Sequence, residues 1–303
     1  MKNIRTYSRR TVLKAATSVI AATPALGADQ MRTRPIPSTE EAVPVIGLGT
    51  YSVFDVDGSD EEIATRLDIV EALLEGGGSV IDTSPMYNRS ERIVGDVLRR
   101  SALHSKCFLA TKVWTDGEAA GRNQMRRSAE LMGSARIDLM QVHNRRDMST
   151  HWPVIREMQQ DGFIRYNGVT DYQAGAIDSL MNIMRRDRPE FVQINYSLGE
   201  RDADRALLPL AQELGIAVLV NRPFVTGRLF RVVGDRPLPD WAREFADSWG
   251  QFFLKFIISH PAVTCVIPAT SKLHHQVDNV GAGFGELPDE PTRQRMLRFI
   301  DAI

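Results

Sequence analysis

The chain has 303 residues, 43% hydrophobic and 25% charged, the balance of an ordinary globular protein with enough length for a substantial core. Its 37 basic and 38 acidic side chains leave a net charge of -1, which gives no electrostatic footprint for nucleic acid or an anionic membrane surface. The two cysteines, Cys107 and Cys265, each sit in an apolar run and read as buried thiols, not as a disulfide scaffold.

The first segment, Ser8 to Ala28, reads SRRTVLKAATSVIAATPALGA. Paired Arg9 and Arg10 precede Leu13, Lys14 and a short apolar run, the layout of a twin-arginine export signal. Thr17, Thr23 and Pro24 break that run, which falls short of the roughly 20 apolar residues a spanning helix requires, so no stable membrane anchor is expected. Ala25, Gly27 and Ala28 suit a signal peptidase, with the cleaved bond left open. The expectation is a twin-arginine signal at residues 1–28, the twin-arginine export machinery as a partner, a periplasmic location, and one folded domain at 29–303.

Next comes Arg34 to Pro44, RPIPSTEEAVP, read as a hairpin across the floor of the sheet that follows. Eight apolar, β-rich runs then recur: VIGLGTY, SVIDTS, CFLATKV, LMQVHN, YNGVTDY, FVQINYS, AVLVNRP and CVIPATS. Each is short and near-continuous, as strands buried on both faces of a parallel sheet should be. Amphipathic stretches lie between them, at Glu62–Leu74, Glu91–Arg100, Ala119–Met132, Trp152–Gln160, Ala174–Arg186, Asp204–Leu214 and Asp240–Ile258. Gly76, Gly77 and Gly78 close the first helix. Eight such alternations without a composition break predict a single-domain (β/α)8 TIM barrel.

In such a barrel the chemistry lies where the strands end. The second run ends with Asp82, five residues before Tyr87; the third carries Lys112 and the fourth His143. A phenol is a poor acid at neutral pH, and an adjacent ammonium ion stabilises its anion. Lys112 supplies that charge, Asp82 holds Lys112, Tyr87 becomes a general acid, and His143 orients a carbonyl. Taken singly, each residue is more often structural; four at the strand ends of one barrel are a stronger signal.

These residues resemble the aldo-keto reductase superfamily from about Pro44 to Ala282. IDTSPMYNRSERIVGDVL is similar to the signature carrying the acid and the tyrosine, LATKVW to the lysine strand, DLMQVHN to the histidine strand, and GFIRYNGVTDY to a further motif strand. The resemblance implies reduction of an aldehyde or ketone by NADP(H), or the reverse oxidation of an alcohol, with NAD(H) left open. It places Thr170, Asp171 and Gln193 at the nicotinamide carboxamide, Arg222 and Arg228 near the pyrophosphate, and Asn279 at the adenine. Thr50, Pro223 and Gly227 join the cofactor-binding set. Ser271, Lys272 and His275 remain as candidates for the 2′-phosphate.

Three departures stand out. Asn221 occupies the place of an aromatic residue that commonly stacks on the nicotinamide, Asp171 replaces an amide, and Ala269 and His275 replace residues that are often basic. A second reading, a non-catalytic dinucleotide- or ligand-binding envelope protein on the same barrel, draws on the first two. A dehydratase or isomerase using Tyr87 and Lys112 is a third. Trp114, Trp152 and Tyr51 either line an apolar pocket or fill packing at the rim.

Overall fold

The computed structural model describes residues 30–303; the expected export signal lies outside the described residues. Two short strands, β1 (Thr33–Pro35) and β2 (Ala42–Pro44), come first. The eight predicted runs then supply β3 (Leu48–Gly49), β4 (Val80–Asp82), β5 (Phe108–Val113), β6 (Ile137–His143), β7 (Ile164–Thr170), β8 (Phe191–Asn195), β9 (Ala217–Asn221) and β10 (Cys265–Val266). All eight are parallel and lie side by side in chain order. Parallel bridges between Ile46 and Val266 and between Gly49 and Ala269 join the first strand to the last and close the single-domain (β/α)8 barrel.

The inside of the barrel is filled by side chains. Val80, Phe108, Leu139, Tyr166, Phe191 and Leu219 pack there with Ile36 and Val43 from the antiparallel β1–β2 hairpin, which plugs the floor as expected. The hairpin turn is pinned where the Tyr166 hydroxyl donates to Glu41 Oε2 at 2.6 Å. It manages without glycine because Glu40 takes the left-handed conformation, φ 60°, that a glycine would otherwise supply. A larger apolar layer lies between the outer faces of the strands and the helices.

The helices are α1 (Asp60–Glu75), α2 (Ser90–Arg100), α3 (Glu118–Met132), α4 (Met148–Gln160), α5 (Ile177–Asp187), α6 (Leu207–Leu214), α7 (Arg228–Val233), α8 (Trp249–Ile258), α9 (Leu273–Gly281) and α10 (Glu290–Asp301). Helix α1 starts at a capping box in which Ser59 and Glu62 satisfy each other's backbone amides. Helices α2 and α3 touch at Gly95, where a Cβ would stand 2.0 Å from the Leu131 carbonyl oxygen; only hydrogen fits. The stretch Asp240–Ile258, expected as one helix, divides into a 3₁₀ turn at Asp240–Ala242 and α8. Ser248 starts the second part by accepting from the Gln251 amide, and N-caps of this kind begin helices inside otherwise continuous patterns.

The absence of a disulfide is as expected, but only Cys265 is fully buried, whereas Cys107 is half-buried. Cys107 and Cys265 are free. Burial, reinforced by Asp138, pushes the Cys107 thiol up to about 12, and burial pushes Cys265 higher still. No helix among the described residues is long and apolar enough to cross a membrane.

Candidate active site

Strand register assembles the site. His143 pairs with Thr170 and Thr170 with Gln193, so three strands deliver these residues to one level at the C-terminal end of the barrel. A cavity of about 840 Å³ opens there. Asp82, Tyr87 and His143 line it, as do His275, Asp278 and Asn279.

Lys112 stands behind the wall, fully buried. Its ammonium donates to Asp82 Oδ2 at 2.7 Å and to the Thr83 carbonyl at 2.7 Å. The other Asp82 oxygen accepts from Gln193 Nε2 at 2.8 Å and from Gln141 Nε2 at 3.3 Å. Lys112 Nζ lies 5.1 Å from the centre of the Tyr87 ring. Burial draws the Lys112 ammonium down, but Asp82 and Tyr87 outweigh it, and the net shift is upward; the lysine is a fixed cation.

The phenol behaves differently from the sequence-based expectation. Burial of Tyr87 raises its pKa and exceeds the opposing pull of the Lys112 charge, leaving the group above its ordinary range. Tyr87 is therefore protonated at neutral pH, as a proton donor should be. An ion pair with Asp82 already uses much of the field that Lys112 would otherwise exert on the phenol.

His143 is 5% exposed, and its ring meets Tyr87 edge-on with centroids 5.9 Å apart. Burial, with the Lys112 charge behind it, lowers its pKa from 6.5 to about 3. The ring is neutral at neutral pH, with consequences for stability and for any reaction that uses it. A reaction that uses His143 is expected to show no ionisation of this ring between about pH 5 and 8. Unfolded His143 binds a proton below pH 6.5, the folded ring only near pH 3, so the stability it contributes is complete above pH 6.5 and is lost as pH falls through that window. Denaturant unfolding at a series of pH values should show a steeper acid loss in the wild type than in His143→Gln.

Of the expected cofactor residues, Thr50, Thr170, Gln193, Asn221, Arg222 and Pro223 line the cavity, as do Gly227, His275 and Asn279. Asn221 Oδ1 and Asn144 Oδ1 are buried without a hydrogen-bond partner among the described residues, two amides at the cavity with unused capacity. A cavity of this volume, lined by polar side chains and by amides with unused acceptors, fits a dinucleotide. The remaining candidates sit elsewhere. Asp171 spends one oxygen on Arg145 Nε at 2.7 Å and the other on the Gln173 amide, because the turn after β7 needs that anchor. Arg228 donates to the Gly199 carbonyl at 2.8 Å. Ser271 and Lys272 are exposed at the start of α9. Neither Asp171, Arg228, Ser271 nor Lys272 borders the cavity.

Sequence reasoning passed over four residues: Gln141, Ser84, Tyr172 and Asp278. Gln141 was legible, since it lies two residues before His143 on the same strand face. Ser84 bonds His143, and Tyr172 stands exposed at the cavity mouth. Trp152 is buried in α4, whereas Tyr51 lines the cavity and Trp114 lies 6.4 Å from the His143 ring.

A barrel with this constellation at its C-terminal mouth defines a class, and the sequence agrees: the model of the Aldo/keto reductase family matches residues 45–294, and the chain belongs to that family. It is 28% identical over 213 residues to the aldo-keto reductase YhdN of Bacillus subtilis (strain 168), covering 61% of this chain and 60% of that relative. With methylglyoxal reductase YeaE of Escherichia coli (strain K12) the identity is 26% over 247 residues, covering 79% and 85%. Among solved structures, an aldo/keto reductase from Klebsiella pneumoniae in complex with NADP and acetate matches with a TM-score of 0.73 at 24% identity, over 86% of this chain and 93% of that one. That structural likeness concerns the fold.

Proposed function

We propose that this protein reduces an aldehyde or ketone with NADP(H), the reverse being oxidation of an alcohol. The observation that carries the reading is the buried ammonium of Lys112, paired with Asp82 and set against the Tyr87 ring, in a cavity shared with a neutral His143. The dinucleotide, when bound, supplies hydride from nicotinamide C4. Tyr87 gives its proton to the carbonyl oxygen, and the phenolate left behind is stabilised by Lys112. Asp82 keeps Lys112 charged and directed; His143 donates a hydrogen bond to the carbonyl and fixes its approach. Thr170, Gln193 and Asn221 would hold the nicotinamide end, and Asn279 with His275 the adenosine end. The NADP-bound Klebsiella pneumoniae structure supports the choice of cofactor.

The twin-arginine pattern at Arg9 and Arg10 supports export of the folded protein, with its dinucleotide loaded, to the periplasm. A dinucleotide made in the cytoplasm would thus reach a compartment that does not make it. One experiment addresses both halves: the exported form is purified and denatured, and the released dinucleotide is identified by mass spectrometry. The intact protein is then assayed with NADPH or NADH against methylglyoxal and an aromatic aldehyde. Bound NADP(H) with carbonyl-dependent oxidation of NADPH is the expected result. A protein that neither carries nor binds dinucleotide would overturn the reading.

A further inference from the structure

The geometry points to Ser84 as a positioning residue that sets the tautomer of His143 and ties it to the turn carrying Tyr87. The hydroxyl of Ser84 lies 2.9 Å from His143 Nδ1, and both residues are buried. The same hydroxyl oxygen accepts from the Met86 amide at 3.2 Å, which makes Ser84 the N-cap of the short 3₁₀ turn Pro85–Tyr87. Its carbonyl accepts from the Tyr87 amide at 2.9 Å. One residue therefore holds the tyrosine turn by its backbone and the histidine ring by its side chain.

The direction of the Ser84–His143 bond follows from counting protons. If Nδ1 carried hydrogen and donated to Ser84, the Ser84 oxygen would accept twice, from His143 and from Met86. Its own proton would then have no acceptor among the described residues, in a fully buried place. Leaving a buried donor unpaired is the costlier arrangement. The reverse satisfies every group: Met86 N–H donates to Ser84, Ser84 O–H donates to Nδ1, and the ring hydrogen resides on Nε2. His143 lines the cavity, and Nε2 has no protein partner among the described residues, so this N–H is the one available to a carbonyl oxygen. A ring with its hydrogen on Nδ1 would turn a lone pair toward that oxygen and repel it. The tautomer is the difference between a donor and an obstacle.

The role in catalysis rests on the reductase reading, but the tautomer itself is measurable without substrate. Nitrogen-15 NMR of the full protein, with labelled histidine, should show His143 with a protonated Nε2 and an unprotonated Nδ1, unchanged across neutral pH. Ser84→Ala should convert this to a mixture of tautomers and lower kcat roughly tenfold or more, with KM for the dinucleotide unchanged. Ser84→Thr, which keeps the hydroxyl, should restore both. A wild-type ring protonated on Nδ1 overturns the inference, whatever the fate of Ser84→Ala. So does a Ser84→Ala protein that folds and retains the wild-type tautomer. A protein with the expected tautomer and no carbonyl reduction would instead sink the reductase reading and leave the Ser84–His143 assignment standing.

Discussion

Tyr87→Phe is expected to lower kcat/KM for carbonyl reduction by about 10²–10⁴-fold, the range a positioned general acid contributes, while leaving dinucleotide affinity near wild type. The reason is local. Phenylalanine keeps the ring that packs edge-on against His143 and Tyr51 and removes only the hydroxyl. Of the other two members of the set, His143 is neutral with a strongly lowered pKa, and Lys112 is held behind the wall by Asp82 and Thr83. Steady-state rates alongside dinucleotide binding by fluorescence check the prediction. Full activity in the variant would remove Tyr87 from the mechanism.

Lys112→Met is expected to cost more than activity. Its removal leaves Asp82 as a buried carboxylate with only amide donors from Gln141 and Gln193. Breaking a buried pair by deleting one partner destabilises by about 3–5 kcal/mol. Reduction should fall at least as far as in Tyr87→Phe, because the developing phenolate loses its counter-charge. The double variant Lys112→Met with Asp82→Asn separates the two effects: it should recover part of the unfolding free energy in denaturant titration and none of the rate. Recovery of neither quantity would mean that Lys112 acts chiefly by filling space.

The barrel was legible because its eight strands are buried on both faces, and such strands leave near-continuous apolar runs that little else in the chain imitates. The candidate catalytic set was legible for the opposite reason, as polar residues interrupting those runs at their C-terminal ends. What sequence could not show is direction and competition. Asp171 reads as a cofactor ligand, but its bond to Arg145 is invisible in the sequence, as is the bond of Arg228 to Gly199. The sign of the Tyr87 shift likewise depends on how much of the Lys112 field Asp82 absorbs and how deeply the phenol is buried, which no spacing encodes. Helices α7, α9 and α10 were not singled out. In α10, Arg293 is nearly buried beneath the helix, bonded to the Tyr196 hydroxyl at 2.9 Å, so a charge stands where an apolar residue would have marked the inner face.

The proposed reduction brings an aldehyde or ketone close to a buried lysine, and amines condense with such carbonyl compounds to give imines. That reaction needs a free lone pair on nitrogen and room for the carbon to approach. Lys112 offers neither: its pKa is raised, its hydrogens are directed at Asp82 and Thr83, and it is fully buried. The same contacts that make Lys112 a dependable cation make it chemically inert toward an electrophile in the cavity. Charge without nucleophilicity suits the site to the proposed reduction, in which a free amine would trap the carbonyl compound as a Schiff base.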